Sequence, residues 1–250
     1  MAPPALLYSE NDVKTETYYV TIDLGGTGAP QPTTGIFVPE NYRLSSDVDV
    51  ILWLMGHHDN QEYPPSLSID QYWFKYPNFR FRQFVNAGNK NVILVAPTLG
   101  ASSESGNLTS SGGLSRYLDQ VLAALEAYAS FSSPSLGNLV IACHSGGGSP
   151  MLQIATTTQQ YSDNIQQLWG FDCLYGDVEA SWLQWAQKNS SKLLLIRYGS
   201  STPDRSRTLM KMAAKQSNIN VDGNEGTPHN RVPETYWNRF MRRAHIFNDK

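Results

Sequence analysis

The run Asn138-Leu-Val-Ile-Ala-Cys-His-Ser-Gly-Gly-Gly148 constrains the chain most, because an apolar β-type stretch stops abruptly at a serine followed by three glycines. Leu139, Val140, Ile141 and Ala142 form the short continuous apolar run of a strand buried on both faces. The segment from Gly146 through Met151, Leu152, Ile154 and Ala155 continues as a helix. Ser145 therefore sits on a strand-to-helix turn. A serine held there has its hydroxyl exposed above the sheet, and small neighbours tolerate the strained backbone and let the helix pack close to the strand. The plainer reading is a glycine-rich loop that merely turns the chain, or cradles a phosphate with its backbone donors.

On Cys143-His144-Ser145-Gly146-Gly147 the chain resembles the α/β-hydrolase superfamily, whose nucleophile elbow follows the pattern small-x-nucleophile-x-small. Cys143 stands where glycine is commoner. The resemblance extends over nearly the whole chain, because the remaining elements fall in the same order. Residues 15 to 24 and 33 to 39 are β-rich and separated by Gly25, Gly26, Gly28, Pro30 and Pro32, which predicts a hairpin with a long loop. Those glycines do not make a dinucleotide fingerprint, since Gly26-x-Gly28-x-x-Gln31 lacks the third glycine and the prolines oppose a following helix. Strands are then expected at Val48 to Met55, Val92 to Ala96, the elbow strand, Leu168 to Tyr175, Leu193 to Tyr198 and Asn218 to Val221.

Between them, Leu114, Tyr117, Leu118, Val121, Leu122, Leu125 and Tyr128 recur at three-and-four spacing and predict an amphipathic helix. Further helices are expected over Glu179 to Gln187, after Thr202 as cap with Pro203 in the first turn, and from near Pro233 to Ala244. Alternating strands and helices imply a largely parallel sheet. The expectation is an α/β-hydrolase fold: a mostly parallel eight-stranded sheet with helices on both faces, in one domain spanning residues 1–250.

Composition narrows the partners. Charged residues are 16% and the net charge is -3, so the overall balance gives no basic surface for nucleic acid. No apolar run approaches the ~20 residues of a membrane span, and Met1-Ala-Pro-Pro-Ala-Leu-Leu lacks the charged start and apolar core of a signal peptide. The chain is expected to be soluble, with cytoplasmic and processed secreted forms both open, as is the oligomeric state. Cys143 and Cys173 are too few for a disulfide framework and read as buried thiols at strand ends, with pairing between them left open. Asn107-Leu-Thr109 and Asn189-Ser-Ser191 match a glycosylation pattern short enough to arise by chance.

A serine hydroxyl is a poor nucleophile at neutral pH, so it needs a base and a third group to orient that base. Of the five histidines, His144 adjoins the serine on a tight turn and is expected to point away, His57 and His58 precede the elbow strand, and His245 falls in the terminal helix. His229, in the loop after the last strand, stands where this superfamily keeps its base. Asp172 leads as the acid, because a carboxylate embedded among apolar strand residues needs a partner. Asp204 and Asp177 remain alternatives, although Asp204 is already explained by a helix first turn.

By the same resemblance, the N–H groups of Gly146 and His57 supply the oxyanion hole, with Met55-Gly56 replacing the family's His-Gly pair. His57, His58 and Asp59 have no metal-ligand spacing, so no metal and no cofactor is expected. The aromatic residues between Tyr63 and Phe84 either pack the first crossover helix or wall an apolar pocket beside the serine. Together these point to a serine hydrolase acting on a small-molecule carboxylic ester through an acyl-enzyme. An amidase, peptidase or acyltransferase with the same triad is the alternative within enzymes, and a catalytically inactive binding protein of the same fold is the alternative outside them.

Overall fold

Strands that are apolar on both faces have to lie in the middle of a sheet covered on both sides. The computed structural model, which describes residues 1–11, 14–29, 31–157 and 160–250, places them so. Pro30, one of the prolines expected in the hairpin loop, lies outside the described residues. The strands are β1 (Leu6–Asn11), β2 (Glu16–Thr21), β3 (Thr33–Val38), β4 (Asp47–Leu54), β5 (Ile93–Pro97), β6 (Ser135–His144), β7 (Ile165–Phe171), β8 (Leu193–Tyr198) and β9 (Ile219–Gly223). They form one sheet in the order β1-β2-β3-β5-β4-β6-β7-β8-β9. Pairings from β1 through β3 to β5 are antiparallel, and those from β5 to β9 are parallel.

Among the described residues the sheet has nine strands where eight were expected. The additional one, β1, is an exposed edge strand whose Leu-Leu-Tyr-Ser-Glu-Asn sequence carries no alternation of apolar and polar residues. Among the described residues β2 is its one sheet neighbour, and its side chains are mostly exposed, so no period is imposed. Strand β7 ends at Phe171, four residues before the expected limit, which leaves Asp172 on the loop that follows.

Among the described residues seven helices cover the sheet: α1 (Ile69–Lys75), α2 (Phe81–Ala87), α3 (Gly113–Tyr128), α4 (Gly148–Thr156), α5 (Glu179–Lys188), α6 (Pro203–Met212) and α7 (Val232–Arg243). Helix α2 packs on α7, whereas α4, α5 and α6 pack in series as a separate group. Alternation along β7 shows that these groups lie on opposite faces. Trp169 and Phe171 meet Trp237 and Phe240 of α7, while a Cβ on the intervening Gly170 would meet Cys173 and approach Met151 of α4. Among the described residues no helix is long and apolar enough to cross a membrane.

The core on the α7 side is aromatic. Trp237 is fully buried and its ring contacts Trp53, Phe81, Trp169 and Phe171 at centroid distances of 5.6, 4.9, 5.7 and 5.8 Å. This cluster fixes α7, and with it the loop carrying His229, against the ends of β4 and β7. Truncation removes the largest single plug between helix and sheet. Trp237→Ala is expected to cost about 3–5 kcal/mol in chemical denaturation, and a loss under about 1 kcal/mol would show that the cluster does not anchor the helix.

Candidate active site

Each of the three glycines after Ser145 abuts a different neighbour. A Cβ on Gly146 would fall 2.2 Å from Cδ2 of His57, one on Gly147 would fall 2.6 Å from the Leu54 carbonyl, and one on Gly148 would fall 2.3 Å from the Cys173 carbonyl. The turn after β6 is therefore wedged between the ends of β4 and β7, and side chains there would force it out. Ser145 itself takes φ = 54°, a left-handed conformation that costs a non-glycine residue energy and persists only where packing imposes it. A 3-10 turn over Ser145–Gly147 then leads into α4.

Asp172 is the second residue held in that region, with φ = 47°. Its carboxylate is wholly buried and has a dense set of donors. Oδ1 accepts from the N–H of Gly199 (3.0 Å), the N–H of Thr202 (3.0 Å) and the Thr202 hydroxyl (2.7 Å), and Oδ2 accepts from the N–H of Ser201 (3.1 Å). Nδ1 of His229 completes the set at 2.7 Å from Oδ2. Burial alone pushes this carboxyl up, but the bonds from His229, Thr202 and Gly199 outweigh it and hold the group at about 2. The carboxylate is therefore ionised throughout the neutral range.

Thr202 was expected to cap α6. It occupies the cap position, but no side-chain cap bond forms, and its hydroxyl serves Asp172 instead. Asp204 and Asp177 do not approach His229. Asp204 is exposed and pairs with Arg207, and Asp177 is exposed and pairs with Arg205.

His229 lies on a 3-10 turn, His229–Arg231, that opens into α7, and its ring is partly exposed. Its N–H donates to Ser200 Oγ at 3.1 Å, so the β8–α6 loop holds both the acid and the backbone of the histidine. Since Asp172 can only accept, Nδ1 of His229 carries the proton and Nε2 is left as the free nitrogen of the neutral ring. Ser145 and His229 line the same cavity, of about 200 Å³, together with Gly56, His144 and the aromatic residues Tyr63, Tyr72 and Phe79. Tyr63, Tyr72 and Phe79 thus follow the pocket reading of the aromatic segment, while Trp73 and Phe81 are core.

A second cavity, of about 530 Å³, also has Ser145 in its wall. His57 and Gly146 border it, which puts the two residues expected to supply oxyanion N–H groups beside the serine. The backbone of Gly56 is pressed against the turn, because a Cβ there would lie 2.7 Å from that of Ser145. His58 turns inward, Nδ1 lying 3.2 Å from the Gly56 carbonyl, and its N–H donates to Ala101 at 2.8 Å. Burial pushes its imidazole down.

Three contributors were not found from the sequence. His144 was expected to point away, yet its ring lies 4.4 Å from that of His229 and Nε2 donates to the His229 carbonyl at 3.0 Å. Burial, aided by the neighbouring His229, drives His144 down to about 3, so it stays neutral and positions the loop. Tyr175 meets the His229 ring edge-on at 6.3 Å and lines a cavity together with Ser145. Ser103, in the loop after β5, is buried with φ = 64°, and its Oγ lies 2.9 Å from where a Gly146 Cβ would stand. His245 follows the end of α7 on the exposed surface and takes no part. Cys143 and Cys173 are buried free thiols.

The sheet order, the crossover helices on both faces and the strand-turn-helix at Ser145 make this an α/β-hydrolase fold. Solved structures agree. The chain is similar to an S-formylglutathione hydrolase from Agrobacterium tumefaciens, with a TM-score of 0.60, 11% identity, and coverage of 97% of this chain and 98% of that one. It is also similar to the feruloyl esterase module from Clostridium thermocellum in complex with sinapinate, with a TM-score of 0.55, 11% identity, and coverage of 99% and 93%. A ferulic acid esterase gives a TM-score of 0.56 at 13% identity, covering 93% and 97%. No protein-family model and no curated protein sequence matches the chain.

The Asp172 geometry has a consequence for stability. Its folded value of about 2 lies below the ordinary unfolded value of about 3.9, so the group stabilises the fold above pH ~4 and loses that contribution as pH falls toward 2. Between about pH 5 and about pH 3, urea unfolding is expected to show the wild type losing about 1 kcal/mol more than Asp172→Asn. Equal acid sensitivity of the two would contradict the hydrogen-bonded carboxylate.

Proposed function

We propose that this chain is a serine hydrolase that cleaves carboxylic esters through an acyl-enzyme, with Ser145 as nucleophile, His229 as base and Asp172 as orienting acid. The observation that carries the reading is the 2.7 Å bond from His229 Nδ1 to the buried, ionised Asp172, in a loop whose histidine shares a cavity wall with the strained Ser145. An ionised acid behind the imidazole fixes the tautomer in which Nε2 accepts the serine proton.

In the first half-reaction, Ser145 Oγ bonds to the carbonyl carbon while its proton passes to His229 Nε2. The resulting oxyanion is stabilised by the N–H groups of Gly146 and His57. Collapse breaks the bond from carbon to the alcohol oxygen, and His229 gives its proton to that oxygen. In the second half-reaction, water attacks the acyl carbon, gives a proton to His229, and the acid leaves as Ser145 recovers its proton. No resident cofactor enters these steps. The similarity to esterase structures favours an ester over an amide as substrate, though the triad itself fixes only acyl transfer.

Removing one member while keeping the fold tests the assignment. Ser145→Ala is expected to abolish hydrolysis of aryl esters with an unchanged circular dichroism spectrum. Asp172→Asn is expected to lower turnover by up to ~10⁴-fold, the size of this effect in a serine protease, while Asp204→Asn and Asp177→Asn stay close to wild type. Retained turnover in folded Ser145→Ala would overturn the mechanism, and an inactive Asp204→Asn or Asp177→Asn beside an active Asp172→Asn would overturn the choice of acid.

A further inference from the structure

The two cavities that meet at Ser145 differ in size, chemistry and access to the general acid. Ser145 and His57 line both, so the reacting carbonyl carbon sits at their junction. His229 lines only the smaller. Because the proton on His229 must reach the departing oxygen, the alcohol has to lie on the side His229 faces. The acyl group then has the larger cavity, whose border also includes Gly146.

We propose, building on the hydrolase reading, that the enzyme is selective for esters of a bulky, uncharged, arylalkanoyl-sized acyl group with a small alcohol. The acyl cavity measures about 530 Å³ and is walled by Leu152, Val178, Cys173, Tyr175 and Trp182. Trp182 is buried and supplies a flat apolar wall, while Ser149 and Gln153 stand exposed at the cavity's rim. Among the described residues no lysine, arginine, aspartate or glutamate lines it, so a charged acyl chain would lose its hydration without a partner. An acyl group of one or two carbons would leave most of the space unfilled and forgo the binding energy of those walls.

The alcohol cavity, by contrast, measures about 200 Å³. A dry cavity of about 150 Å³ holds benzene, so this one takes a short alkyl group or a single ring and little more. Its wall of Tyr63, Tyr72 and Phe79 is reinforced from behind, where Tyr72 stacks on Phe79 at 4.5 Å and Tyr63 meets Tyr76 at 4.6 Å. A ring cluster braced in this way does not open easily for a longer alcohol.

The test uses two isomers with the ester reversed. Ethyl 3-phenylpropanoate places the ring in the acyl group, and 3-phenylpropyl acetate places it in the alcohol. Both release primary alcohols, and the acetyl carbonyl is intrinsically the less hindered, so chemistry alone does not favour the expected result. We expect kcat/KM for ethyl 3-phenylpropanoate to exceed that for its isomer by about tenfold or more. In Leu152→Trp and in Val178→Phe, each of which fills the acyl cavity, that ratio is expected to fall by about tenfold or more. Hydrolysis of both isomers at equal rates, or a preference for 3-phenylpropyl acetate, overturns the acyl assignment and leaves the hydrolase reading standing. Failure to hydrolyse either isomer or ethyl acetate overturns both.

Discussion

The site depends on one buried charge. Asp172 stands where a parallel strand ends, fully enclosed, and a carboxylate there is tolerable only if hydrogen bonds replace the water it has lost. Three backbone N–H groups and a hydroxyl from the loop between β8 and α6 do so, and His229 takes the remaining lone pair. The loop that solvates the acid also receives the backbone N–H of the histidine through Ser200. Orientation of the imidazole is thus a by-product of satisfying a buried carboxylate.

Two left-handed residues frame this arrangement. Ser145 and Asp172 follow directly on the ends of neighbouring strands β6 and β7, and both adopt a conformation that neither would choose in isolation. The glycines after Ser145 let its turn press against the ends of β4 and β7, while His144 ties the same turn to the His229 carbonyl. Packing on the aromatic cluster around Trp237 holds the opposite end of the system. The strain therefore sits at Ser145 and Asp172 and is sustained by the apolar core beneath them.

Much of this was legible because the physics is local. A continuous apolar run ending in Ser-Gly-Gly-Gly requires a buried strand, a sharp turn and a helix, and an aspartate within apolar surroundings requires a partner. The long helix α3 follows from its three-and-four spacing over the same bounds to within a residue. What stayed hidden depends on groups distant in sequence. Thr202 looks like an ordinary helix cap, and only the position of Asp172 30 residues away turns its hydroxyl elsewhere. His144 carries no mark of its role, since its bond to the His229 carbonyl spans 85 residues. Strand β1 was missed because an exposed edge imposes no pattern on its side chains.

The central claim is that Ser145 is activated by the His229–Asp172 pair, and reaction with a fluorophosphonate reads it most directly, since the reagent needs an activated serine but no knowledge of the substrate. Peptide mapping by mass spectrometry after treatment is expected to find one adduct per chain, on Ser145, and a sharply slowed reaction in His229→Ala. A folded protein that remains unmodified, or that carries the adduct on another residue, would contradict the account.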